Sequence, residues 1–423
     1  MSQAFLEDLA EFVTGSEERL QHLRSEAWQK LLVQGLPQKK QGDFQYVPVE
    51  KLYAGIYKPA ALAPVPSKEE IASHLLPECK DAYLVFVNGV FVSELSKLPE
   101  KMIILPLGKA VHTYGTFLQA RLNGTIQRES DPFALLNLSL AGGGIFAYIP
   151  PKTKLATPVQ CLHFLTQQGT LAAPRIQLFL GKESQAALFS TFHLLADGWI
   201  NSVVDLHLEE GAIGEQTSLL FEERSVPVFE ALRVTQKARS QFRGFSLSTG
   251  GETHRQSYSI SLNGEDAEAT LSGAWLLRRE FSQHVHVLMD HQAPHTRSRQ
   301  HFKGIVSERS QASFEGKIHV AQAAQKTEAY QLSNNLILGE RAQAFCKPNL
   351  QIFADDVKAS HGATVGQLDA NALFYLKTRG ICEEEAQRLL VSAFCQEISA
   401  KIPLPSVQNK FKEHMTEFLR ADQ

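Results

Sequence analysis

Ser257-Tyr258-Ser259-Ile260-Ser261-Leu262, followed at once by Asn263-Gly264, alternates hydroxyl and apolar side chains and then stops on a turn signal. A period of two puts Tyr258, Ile260 and Leu262 on one face of a strand and the three serines on the other. Runs of this kind fill the middle of the chain. Ile145-Phe146-Ala147-Tyr148-Ile149, Arg175-Ile176-Gln177-Leu178-Phe179-Leu180, Val203-Val204-Asp205-Leu206-His207-Leu208 and Gly316-Lys317-Ile318-His319-Val320 are further examples. Gly and Asn punctuate them at Gly181, Gly211, Gly214, Gly273, Gly316 and Gly339. Upstream, Ala82–Val87 and Val90–Val92 flank Asn88-Gly89, a two-residue hairpin signal. From about 132 to 353 little reads as helix. So many short strands can build a sandwich, a barrel, a propeller or a β-helix, and no clean sequence period chooses among them. Stacked rungs would bury a continuous core and leave sheet edges only at the two ends. Helices at the chain's two ends would then cap the stack.

Those helices are readable. Phe5, Leu6, Leu9, Phe12 and Val13 recur at helical spacing, and Leu20, Leu23, Ala27, Trp28, Leu31 and Leu32 form a second stripe that Ser16 could start. A short helix fits between Ser67 and Leu76, among prolines. After Gly366, Asp369 can cap a helix that Gly380 stops. Glu383-Glu384-Glu385 opens another, with Ala386, Leu389, Leu390, Ala393, Phe394 and Ile398 as its stripe. A last helix carries Val407, Phe411, Met415, Phe418 and Leu419. The expected organisation is a helical region over 1–80, a β core over 81–353, and a motif with a helical domain over 354–423.

Composition narrows the function. The 423 residues are 43% hydrophobic and 21% charged, with net charge −3 and no long block of one sign. That lacks the electrostatic footprint of a nucleic-acid binder. No apolar run reaches the length of a membrane span. The acidic first turns (Glu7, Asp8, Glu11) are unlike a targeting peptide, so a cytoplasmic setting is expected. Cys79, Cys161, Cys346, Cys382 and Cys395 are scattered and show no CxxC spacing. A self-contained thiolate metal site is therefore not expected, and most read as small buried side chains. There is no Walker A or dinucleotide fingerprint, so no nucleotide is expected on this chain, and Gly142-Gly143-Gly144 before a strand reads as a turn.

Two clusters remain. His284, His286, His291, His295 and His301 include a pair that would share one strand face, where imidazoles can bind a metal. No carboxylate completes a familiar ligand set there. The second is Phe353-Ala354-Asp355-Asp356-Val357-Lys358-Ala359-Ser360-His361-Gly362-Ala363-Thr364-Val365-Gly366, at the junction of strands and helices. It reads as loop-like backbone ending in a turn. His361 beside two carboxylates fits a metal ligand, a general base or a salt-bridged structural group.

The Asp355–Gly366 run, with Phe374-Tyr375-Leu376-Lys377-Thr378-Arg379-Gly380-Ile381 after it, resembles the signature of SufD proteins in the SufB/SufD family of the Suf iron–sulfur cluster assembly system. Ser298–Val306, Phe314–Ile318, Thr327–Leu338, and Gly35-Leu36-Pro37 leading to Phe44–Pro48 are similar to further family segments. The resemblance spans nearly the whole chain and is strongest from about 298 to 381. It favours SufD over SufB, which reads His-Glu-Ala where this chain reads His361-Gly362-Ala363.

The resemblance implies a right-handed parallel β-helix core flanked by helical domains. It implies a non-catalytic scaffold subunit that pairs with a SufB paralogue and is carried on the SufC ATPase, with the C-terminal helices as the SufC contact. A homodimer of the chain itself stays open. It also implies that His361 lies at the SufB interface and helps hold a nascent iron–sulfur cluster opposite a SufB cysteine. Some SufD proteins carry Cys two residues before this His; here that position is Ala359, so it supplies no thiolate. The competing readings are a β-helix enzyme acting on carbohydrate, which would need paired carboxylates on adjacent rungs, and a stand-alone metal protein using the 284–301 histidines.

Overall fold

The computed structural model describes residues 2–13, 18–38, 41–59, 64–140, 142–222 and 224–421. Its centre is a two-sheet parallel β-solenoid of about eight turns. The chain alternates between the sheets. Gly198–Leu208, Val228–Gln236, Thr253–Leu262, Ser282–His291, Gln311–Val320 and Gln343–Ile352 stack side by side in one sheet. Gln185–Leu194, Ile213–Leu220, Gln241–Ser248, Glu268–Leu277, Arg297–Val306, Thr327–Ile337 and Val357–Gly366 stack in the other. The alternating run Ser257–Leu262 thus forms part of an inner strand, with its apolar face turned to the facing sheet.

The repeat that the sequence hides is a rung of about 29 residues. Thr253 lies beside Ser282 and Ser282 beside Gln311, a step of 29 each time. Its marker is a left-handed residue at one corner of successive rungs. Lys152, Glu183, Gly211, Arg239, Asp266, His295 and Lys326 all have φ between 56° and 68°. Each donates its backbone N–H to a carbonyl at the next corner, for example Glu183 to Glu210 (2.9 Å), Arg239 to Glu265 (2.9 Å) and His295 to Gln325 (2.9 Å). That ladder satisfies corner donors that would otherwise be stranded, and it offsets the cost of the left-handed region at non-glycine residues.

Inside, Tyr258, Ile260, Leu262, Val285, Val287, Met289, Phe314 and Ile318 of one sheet meet Leu271, Trp275, Leu277, Phe302 and Val306 of the other. Gly304 faces this core. A methyl group on it would overlap the Trp275 indole nitrogen and the Asn335 side-chain oxygen. Trp275 is 1% exposed and has no room to yield. Gly304→Ala is therefore expected to cost about 1–3 kcal/mol, readable as an earlier denaturant midpoint; an unchanged midpoint would show that the indole can move.

Helices lie on the outer faces, not on the ends as expected. The outer faces are themselves apolar, and a strand buried on both faces needs cover on both. On one sheet, Leu171, Trp199 and Phe229 pack against Phe5, Trp28, Tyr53 and Phe133 from the N-terminal segments. On the other, Phe245, Leu247, Leu276 and Ile305 pack against Val391, Cys395, Ile398, Val407, Phe411 and Phe418. The helices are Ser2–Ala10, Glu18–Gln34, Val49–Tyr53 and Lys68–His74 at the start, and Ala370–Thr378, Glu383–Ser399 and Pro405–Ala421 at the end. The start expected at Ser16 lies outside the described residues. Ser67 caps Lys68–His74 by accepting from the Glu70 N–H, and Asp369 caps Ala370–Thr378 by accepting from the Asn371 N–H. Three helices inside the expected β region were not foreseen: Leu107–Thr113, Gly115–Arg128 and Pro132–Leu140.

The two ends of the solenoid differ. At the first end each sheet closes on a short antiparallel strand. Val90–Phe91 returns against Tyr83–Val87 through the Asn88-Gly89 turn, whose φ values of 51° and 88° match a hairpin of two left-handed residues. Ile103–Pro106, ending on proline, closes the other sheet against Ile145–Ile149. Short edges and proline discourage further pairing. At the second end, Gln343–Ile352 and Val357–Gly366 are the outermost strands, and no described strand pairs beyond them.

Candidate functional site

The run from 353 to 366 lies at this open end, but as a strand rather than a loop. Val357, Thr364 and Val365 favour extended backbone, and Val357–Gly366 pairs in parallel with Thr327–Ile337 along its whole length. Alternation then separates the ionisable cluster. Asp355 and Asp356 sit at the corner, where the Asp356 carbonyl accepts from the Lys326 N–H (2.6 Å) and its own N–H donates to Gln325 Oε1 (3.0 Å). Lys358 faces outward, 3.7 Å from Glu328. His361 stands beside Gln331 in register, on the face that carries Ala329, Gln331, Ser333 and Asn335 toward the solenoid interior. It is exposed and, among the described residues, joins no hydrogen bond or ion pair. The carboxylates therefore do not converge on the imidazole, and the salt-bridged and general-base readings lose their partners. The imidazole is left solvent-facing at the open end.

Cys346 belongs to the same end, which the sequence did not signal. It lies on the last strand of the facing sheet, beside Phe314 in register. Its sulfur reaches across the interior to Asn335, whose Nδ2 donates to it at 3.2 Å, and to the Ser333 hydroxyl at 3.5 Å. Burial pushes this thiol up, and the contacts from Ser333 and Asn335 draw it partly back. The other cysteines follow the bland reading more closely. Burial raises Cys79 and Cys395 to about 12 and Cys161 higher still, while Cys382 is exposed.

The histidines at 284–301 disperse. His284 and His286 do share an outer face, but His284 Nδ1 meets the Ser313 hydroxyl (2.8 Å) and His286 lies 3.3 Å from Asp43. His291 points inward between Thr296 and Ser298, at 2.8 Å from each hydroxyl. His295 is a corner residue, and His301 on the other sheet contacts Lys401 (2.6 Å). Burial pushes His284 down to about 3 and His291 to about 4, so both are neutral packing groups at physiological pH. Among the described residues no three His, Cys, Asp or Glu side chains converge as a metal site would require. The stand-alone metal reading of the 284–301 histidines is thereby corrected.

The fold and this end together define a parallel β-solenoid protein whose final rung, among the described residues, is paired on one side only and carries an exposed imidazole without a partner. The chain belongs to the SufB/SufD family: the description "SUF system FeS cluster assembly, SufBD core domain" matches residues 163–394, and "SufBD protein N-terminal region" matches residues 2–161. It is similar to the iron–sulfur cluster assembly protein SufD of Escherichia coli, at 29% identity over 92% of this chain and 90% of the relative. It is similar at 28% to a SufBD family protein of Synechocystis, over 89% and 86% of the two chains. It is also 22% identical to SufB of Bacillus subtilis, over 78% and 73%. The protein is thus a SufD-type homologue in iron–sulfur cluster assembly. None of its described helices is long and apolar enough to cross a membrane.

Proposed function

We propose that this chain is the non-catalytic scaffold half of a SufBCD-type complex, pairing through its open end with a SufB-type paralogue. The observation that carries this reading is the unpaired final rung with His361 exposed upon it. Unsatisfied backbone groups on edge strands are a template for another chain's strands. Joining two solenoids there would set His361 against the partner and leave it as one labile ligand for a nascent iron–sulfur cluster. That cluster is cargo, built and then released. A site shared between chains, with few ligands from each, opens when the two bodies shift.

The C-terminal helices offer a second contact. Ala370–Thr378 buries no residue, and Phe374 and Tyr375 are 68% and 57% exposed. Leu389, expected on the packed stripe, is also exposed, because the buried face of Glu383–Ser399 runs through Ala386, Val391, Cys395 and Ile398 instead. An apolar patch of this size on helices suits a partner protein, and the ATPase of the complex is the occupant we assign to it. A cytoplasmic setting fits the free cysteines. Pulling the tagged chain from its native host should bring down a paralogous solenoid and an ABC-type ATPase. Recovery of the chain alone, under mild salt, would overturn the reading.

A further inference from the structure

We infer that a basic bowl on the outer face of the second sheet, beside the turn between the last two helices, binds the phosphate group of a small molecule. The inference goes beyond the scaffold role and does not rest on it, because no residue of the last strand of either sheet lines the bowl. Its volume is about 620 Å³, within the range of small-molecule sites. Glu215, Arg243, Thr270 and Arg299, neighbours in register on four successive strands, form one row of its floor. Thr217, Ser272 and His301 belong to the next row, and Lys401 and Pro403, between Glu383–Ser399 and Pro405–Ala421, form the rim.

The charge of the bowl is not balanced from within. Arg243, Arg299 and Lys401 line it against one carboxylate, Glu215, on a chain whose net charge is −3. Glu215 is taken by Arg243 at 3.1 Å, which leaves Arg299 and Lys401 as the surplus. The neighbours of Arg299 on its own strand face are paired: Arg297 with Glu268 at 2.8 Å and Lys303 with Glu397 at 3.0 Å. Arg299 stands between them, lies over the Tyr330 ring at 5.9 Å, and meets no carboxylate among the described residues. Lys401 donates to Nδ1 of His301 at 2.6 Å, a contact that fixes the ammonium at the rim. Burial lowers this lysine below its ordinary range, and Lys303 and Arg299 push the same way while Glu397 opposes them. Cations crowded around a concave surface draw an anion into it.

The donor set favours phosphate over a carboxylate. A guanidinium fork, an ammonium and hydroxyl groups are the usual partners of a doubly charged tetrahedral oxyanion. Strands lie about 4.8 Å apart, so Arg243 and Arg299, two strands apart, arise about 10 Å from each other with Thr270 between them. Side chains of that length can close on one phosphate above the Thr270 hydroxyl. A carboxylate, with two oxygens and one charge, would leave part of this set unused. Binding makes and breaks no covalent bond, and it is ionic, so it weakens as salt rises.

The test titrates the full chain by calorimetry, in phosphate-free buffer of low ionic strength, with inorganic phosphate and separately with adenosine monophosphate. Saturable binding that fades with added sodium chloride is expected. Arg299→Ala and Lys401→Ala should each weaken it at least tenfold, the size of loss typical of a hydrogen bond to a charged group. Arg299 is exposed, so its removal should leave the melting temperature in place, and lost binding there is not lost fold. Tighter binding of adenosine monophosphate, lost in the same variants, supports a phosphomonoester as the occupant; equal or weaker binding supports the free anion. No saturable binding of either probe, or binding that either variant leaves intact, overturns the inference.

Discussion

Replacing His361 by alanine is expected to cut the iron–sulfur content of the purified complex by on the order of tenfold or more, the size of loss typical when a metal site loses a ligating or ligand-orienting group. Thermal unfolding of the chain should not move. The side chain is exposed, sits on the outermost strand and makes no hydrogen bond or ion pair among the described residues. Surface substitutions of that kind stay within about 0.5 kcal/mol. Iron and acid-labile sulfide analysis alongside a melting curve checks both halves. Normal cluster content would remove His361 from the mechanism, and a lowered melting temperature would make it a structural residue.

Asp131→Ala is expected to be strongly destabilising, at about 3–5 kcal/mol, because it leaves the buried Arg255 guanidinium without its ion-pair partner and strips one of two carboxylates from Arg233. Between the outer face of one sheet and the N-terminal helices, Asp131 accepts from Arg255 at 2.8 Å and from Arg233 at 3.5 Å. Arg233 also holds Glu129 with two bonds of 2.8 and 3.0 Å, and Arg255 lies over the Phe44 ring at 4.4 Å. Asp131 further caps Pro132–Leu140 by accepting from the Phe133 N–H. Burial alone would push its carboxyl up, but Arg255 and then Arg233 outweigh that and hold it well below the usual carboxylate range. The folded value thus lies below the unfolded one of about 3.9. Its contribution is whole above that value and is lost as pH falls through it toward the folded value. Unfolding midpoints followed from pH 7 down to pH 3 should therefore fall more steeply for the parent chain than for Asp131→Asn. Parallel curves would mean that the network is not what acid breaks.

Much of the architecture could be read from local chemistry. The Asn88-Gly89 hairpin, the Asp369 and Ser67 caps, and the Phe411 and Phe418 stripe each depend on neighbours within a few residues. The rung length could not be read in this way. Its marker is a left-handed corner, and most of the corner residues are Lys, Glu and Arg, types that give no warning of positive φ; Gly211, Asp266 and His295 alone are too few to reveal a period. Helix Pro132–Leu140 was missed because every residue in it is buried, which erases the periodicity that betrays a surface helix. At the site, His361 stood out by its neighbours in sequence, yet Asp355, Asp356 and Lys358 turn out to face other ways. Cys346 gave no signal at all, since its partners Ser333 and Asn335 come from the other sheet.

The unlike ends of the solenoid also bear on how large an assembly can grow. Stacked parallel strands are the geometry of fibres, and a body open at both ends could add copies without limit. Here one end is already closed by Val90–Phe91 and by a strand that finishes on Pro106. Two such bodies meeting at their exposed rungs would leave, among the described strands, only these short edges, one of them ending on proline, so growth beyond a pair is expected to be disfavoured.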